Sequence, residues 1–119
     1  MKEKILIISE AIANEDISVL EAAGFEVEVA QDYPKGLRRL NETSPDLVVI
    51  DEMLPVVNGW EACLRLRQIS NIPIILLGAE RSGQAVARAI NQGADTYLFK
   101  PFSTNELKAR VQALLRRRK

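Results

Sequence analysis

Histidine is absent from this chain of 119 residues. That absence removes imidazole acid–base catalysis, histidine nucleophiles and histidine metal ligands together. The single cysteine, Cys63, excludes an internal disulfide, and its place on an apolar helix face marks a packed thiol rather than a reactive one. Net charge is also missing: 16 basic residues balance 16 acidic ones, so no overall field favours nucleic acid. The one basic run, Arg116 to Lys119, follows the last predicted helix, where it complements the helix dipole or begins a linker. No apolar run approaches the roughly 20 residues that span a bilayer, and the opening MKEKILII lacks a signal-peptide cleavage pattern. A cytoplasmic protein that neither enters membranes nor binds nucleic acid directly is the expectation.

What the chain does have is apolar material, 47% of it, enough for one domain over residues 1–119 with a real core. Five β-rich runs recur: 4–8, 26–30, 46–50, 72–77 and 96–99. Between them lie helical spacings. Ile17, Leu20 and Ala23 form one face, stopped by Gly24. Leu37 and Leu40 mark a second helix, with Pro34 in its first turn, and Trp60, Cys63 and Leu64 a third. Val86, Ala89 and Ile90 line a fourth that begins near Ser82-Gly83. Leu107, Val111, Leu114 and Leu115 give the clearest stripe, opened by Ser103 or Thr104 with Glu106 close behind. Strict alternation of strand and helix predicts an α/β sandwich of three layers, with a parallel sheet and right-handed crossovers.

The stretch DLVVIDEMLPVVNG, residues 46–59, carries the chemistry. A strand apolar enough to be buried on both faces ends on Asp51 and enters a Pro- and Gly-punctuated loop. Asp at a strand end often does no more than open a turn. Here, however, Glu10 follows the first strand and Lys100 ends the fifth, and in an open parallel sheet such ends converge at one edge, where ligands bind. Two neighbouring carboxylates repel unless a cation intervenes, and Mg²⁺ takes oxygen ligands while keeping waters. A carboxylate can also attack a phosphoryl group. Asp51 as nucleophile, Glu10 as metal ligand and Lys100 as phosphoryl partner form a coherent set. A solvated surface lysine is the ordinary alternative for Lys100, and the following Pro101 argues for a turn that aims it at the site.

Three segments, DLVVIDEMLPVVNGWE, NIPIILLGA and NQGADTYLFKPFSTNELKARVQALLRR, resemble the receiver domains of two-component response regulators, over about residues 4–118. The resemblance implies a flavodoxin-like (βα)5 fold with strand order 2-1-3-4-5. It implies phosphorelay signalling, with Asp51 as phosphoacceptor, Lys100 at the phosphoryl group and Tyr97 as aromatic switch residue. It further implies Mg²⁺ held by Glu10, Asp51 and the backbone carbonyl of Met53, and a sensor histidine kinase or phosphotransfer protein as partner. The Asp95, Glu106 and Arg110 pattern looks like the subfamily that precedes winged-helix output domains. Such receivers form homodimers through the last strand and flanking helices, so these charges are either intersubunit partners or ordinary helix surface.

Three residues depart from the family pattern. Ser9 replaces the first of two adjacent acids. Gly78 stands where a Thr or Ser hydroxyl usually ends the fourth strand. Glu52 takes a normally apolar position; alternation should turn it away from Asp51, and the alternative is a compensating acid at the loop. Two readings therefore stand: a receiver phosphorylated on Asp51 that switches self-association or partner binding, and a receiver-like interaction module that works without phosphorylation. A flavodoxin-type cofactor protein would need a Ser/Thr/Gly-rich first loop, whereas SEAIANED is acidic. No Walker-type or dinucleotide glycine fingerprint occurs.

Overall fold

The computed structural model describes residues 2–118, so Lys119, the last residue of the basic run, lies outside the described residues. Strands and helices alternate without exception: β1 (Lys4–Ile8), α1 (Asn14–Ala22), β2 (Glu26–Ala30), α2 (Tyr33–Thr43), β3 (Leu47–Asp51), α3 (Gly59–Ile69), β4 (Ile74–Gly78), α4 (Gly83–Asn91), β5 (Thr96–Phe99) and α5 (Thr104–Arg118). The strands form one parallel sheet of order β2-β1-β3-β4-β5. Three strands have the predicted bounds. β3 begins one residue later than its apolar run and ends on Asp51, and β4 starts at Ile74 rather than Ile72 because Pro73 precedes it.

Alternation along the strands builds two cores. Ile5, Ile7, Leu47, Val49, Ile75, Leu77 and Leu98 face α1 and α5, packing with Leu20, Leu107, Val111 and Leu115. Leu6, Ile8, Val48, Ile50, Ile74, Leu76 and Tyr97 face α2, α3 and α4. β3 and β4 are buried at every residue, as central strands covered on both faces must be.

Local chemistry sets the helix ends. Asp32, Asn58 and Ser82 cap α2, α3 and α4 by accepting from the third residue on, and Ser103 with Glu106 forms a reciprocal capping box on α5. Gly24, with φ +98°, follows α1 as the predicted stop. The inner stripe of α1 differs from the expected one: Leu20 is buried, Ala23 is exposed, and the second buried residue is Asp16.

Candidate functional site

Residues 47, 49 and 51 share one side of β3, so the carboxylate of Asp51 emerges from the carboxyl edge on the α1 and α5 side. Asp51 is 6% exposed. Its Oδ1 forms an ion pair with Lys100 Nζ and accepts from Met53 N at 3.0 Å. Its Oδ2 accepts from Ser9 Oγ at 3.1 Å, and the same Ser9 oxygen accepts from Ala11 N at 3.1 Å. Ser9 is thus a buried polar brace between β1 and Asp51. The Lys100–Pro101 peptide is cis, and Lys100 N donates to Gly78 O at 2.8 Å. Those contacts place the ammonium over the end of β3.

The structure therefore brings Asp51, Lys100 and Ser9 together. Glu10 is exposed and is not among the residues lining the open cavity of about 470 Å³ beside Asp51. The second carboxylate on that cavity is Asp16, from the first turn of α1, with Ile12, Leu77 and Phe102 as apolar wall. Asp16 is buried, and burial, with the charge of Glu15 added, raises its carboxyl above the usual range. Sequence reasoning missed it; the available signal was a carboxylate four residues before Leu20, inside the apolar period.

Glu52 turns to the other side of β3, as alternation predicts. Its Oε2 accepts from Ala79 N at 2.7 Å and its Oε1 from Trp60 Nε1 at 3.3 Å. Tyr97 is buried at 6% exposure, stacked on Trp60 with centroids 5.6 Å apart and edge-on to Phe99 at 5.5 Å. Its hydroxyl donates to Glu80 O at 3.0 Å. Burial pushes the Tyr97 phenol up, the charge of Glu52 adds to this, and the Glu80 bond opposes it. The phenol lies directly against Gly78: a Cβ there would stand 2.5 Å from Tyr97 Cε1 and Cζ. Gly78 is thus filled space.

Among the other predicted residues, Asp95 is engaged within the chain. Its Oδ2 accepts from Arg67 Nη2 and from Ile74 N, both at 2.8 Å. Glu106 closes the capping box of α5, and Arg110 is exposed on the same helix. Met53 is 71% exposed.

The family described as the response regulator receiver domain matches residues 5–112. The chain is 48% identical over 103 residues to the phosphate regulon transcriptional regulatory protein PhoB of Rhizobium meliloti, covering 84% of this chain and 45% of PhoB. It is 40% identical over 119 residues to the DNA-binding response regulator MtrA of Mycolicibacterium paratuberculosis, covering 98% of this chain and 53% of MtrA. The chain thus spans about half the length of these curated relatives. Among solved structures, the receiver domain of Francisella response regulator 1452 superposes with a TM-score of 0.93 at 35% identity, over 99% of this chain and 100% of that one. The chemotaxis response regulator CheY4 of Vibrio cholerae gives 0.86 at 28% identity, over 96% and 99%.

Proposed function

This chain belongs to the response regulator receiver domain family of two-component signalling, and from that premise we propose that Asp51 is its phosphoacceptor. The observation that carries the reading is the Asp51–Lys100 ion pair, set on a buried strand end beside an open cavity. A carboxylate oxygen of Asp51 attacks the phosphorus of a phosphohistidine on a sensor kinase or phosphotransfer protein. The new O–P bond forms as the N–P bond breaks, the electron pair returning to the imidazole, which then takes a proton. Lys100 gives up part of its contact with Asp51 and pairs with the phosphoryl oxygens. Ser9 and Met53 N hold the carboxylate in place through that exchange.

Receiver domains bind Mg²⁺ at this pocket. In this chain Asp51 and the Met53 carbonyl would hold it as hard oxygen donors, and Glu10, exposed and off the cavity lining, would have to turn inward to join them. Among the described residues no three His, Cys, Asp or Glu side chains converge. Mg²⁺ needs only one or two carboxylates with waters, so the donor set fits a weakly held ion. When bound, the ion neutralises charge on the phosphoryl oxygens.

Self-association through β5, α4 and α5 extends this reading. Arg110 is exposed, whereas Asp95 and Glu106 already have partners within the chain and a dimer would have to share them. PhoB is named for transcriptional regulation and MtrA for DNA binding, and both are about twice this length; this domain itself, with no net charge, is read as not contacting DNA directly. The test is exposure to a small-molecule phosphodonor with Mg²⁺, followed by intact-mass measurement. A single phosphoryl adduct that disappears in Asp51→Asn supports the reading; an adduct retained in that variant, or none in the parent protein, sinks it. Light scattering with beryllofluoride tests the dimer, and a monomer at high concentration in both states rules it out.

A further inference from the structure

The β4–α4 loop, residues 79–82, is tied down at every position in the unmodified chain. Ala79 N donates to the Glu52 carboxylate, and Glu80 O accepts from the Tyr97 hydroxyl. Arg81 donates to Pro101 O at 3.2 Å and stacks over Phe99, while Ser82 caps α4. Two of these ties depend on Glu52 and Gly78. Glu52 brings an anion to the start of the loop, where it makes a charge-assisted bond with a main-chain donor. Gly78 leaves the room that the Tyr97 ring fills, with Trp60 stacked on the ring and Arg88 over Trp60 at 4.2 Å.

We propose that Glu52 and Tyr97 form a permanent latch on the β4–α4 loop, so that a phosphoryl group on Asp51 acts through Lys100 and the β5–α5 loop and leaves the β4–α4 loop as it is. The latch stands on contacts present without any modification. Only the second half, the route of the signal, rests on Asp51 being the acceptor. Asp51 and Glu52 emerge on opposite sides of β3, so a new charge on one faces Lys100 and Phe102, and the carboxylate of the other already holds Ala79. A side chain at position 78 would meet the Tyr97 ring, which fills that space.

Native-state amide hydrogen exchange, read residue by residue by NMR, tests this without phosphorylation. Glu52→Ala should speed exchange at the Ala79 amide about tenfold or more, the factor expected for losing one hydrogen bond to a charged acceptor. Tyr97→Phe, which removes only the hydroxyl and keeps the ring, should speed exchange in the same loop by a smaller factor. Adding beryllofluoride and Mg²⁺ to the parent protein should shift Lys100 and Phe102 resonances and leave exchange at residues 79–82 unchanged. Parent-like exchange at Ala79 in Glu52→Ala overturns the latch. So does slowing of residues 79–82 by beryllofluoride in the parent protein. If beryllofluoride shifts nothing near Asp51, the acceptor reading fails, and the exchange rates of the two variants still decide the latch by themselves.

Discussion

Gly78→Ala adds one methyl group where the structure has no room for it. The new Cβ would lie 2.5 Å from Cε1 and Cζ of Tyr97, about an ångström inside ordinary contact. The backbone at Gly78 is not in the left-handed region, so the cost comes from the ring and not from φ. Overpacking of this kind costs about 1–3 kcal/mol. If Tyr97 swings away instead, it forfeits the bond to Glu80 O, about 0.5–1.5 kcal/mol, and its stack on Trp60, about 0.5–1.5 kcal/mol. Replacing Gly in a strand returns about 0.5–1 kcal/mol by lowering the entropy of the unfolded chain. The net expectation is a loss of about 1–2 kcal/mol. Urea unfolding followed by the fluorescence of Trp60, the one tryptophan in the chain, measures it directly. A double-mutant cycle then isolates the cause: with Tyr97→Ala in place, Gly78→Ala should become neutral or slightly stabilising. An equal penalty in both backgrounds would refute the assignment of that penalty to the Tyr97 ring.

Three further outcomes are expected. Asp16→Asn should stabilise the fold at neutral pH, because a carboxylate that burial disfavours is no longer there. Since the folded-state carboxyl titrates above its unfolded value of 3.8, this advantage should fade as pH falls through the raised folded-state value and be gone below 3.8, where both states bind the proton; thermal melts at pH 7 and pH 3 compare the two. Ser9→Asp should lower stability without metal, through repulsion of Asp51, and give a larger rise in melting temperature with Mg²⁺ than the parent shows; equal Mg²⁺ responses would show that Ser9 does not limit Mg²⁺ binding. The Cys63 thiol, fully buried and pushed up to about 11 by burial, should resist iodoacetamide at pH 8 until the protein unfolds, and fast labelling of the folded protein would contradict that packing.

The pairing of Asp51 with Lys100 was legible in the sequence for a simple reason. Asp51 and Lys100 sit at strand ends, and once alternation of strands and helices dictates a parallel sheet, those ends share one edge. Helix caps were legible at Ser82, Ser103 with Glu106, and Gly24 because capping is a contact over three or four residues. The charges expected at an interface were less so: Asp95 reads as a surface acid, and only the folded chain shows that Arg67 of α3 holds it.

Local periodicity thus determined the fold class and the position of Asp51 at a strand end, since each depends on residues a few places apart; the strand order was implied by the resemblance to receiver domains, and the sheet has that order. Contacts across tens of residues were decided only by tertiary structure. Asp16 lines the cavity because α1 lies over the edge of the sheet, and Glu10 is exposed although its motif pointed inward. Gly78 looked like a missing hydroxyl, and the folded chain fills the gap with a ring 19 residues further on, the distance from Gly78 to Tyr97. A close approach between β4 and β5 depends on register and packing, and these exist only once the whole sheet is assembled.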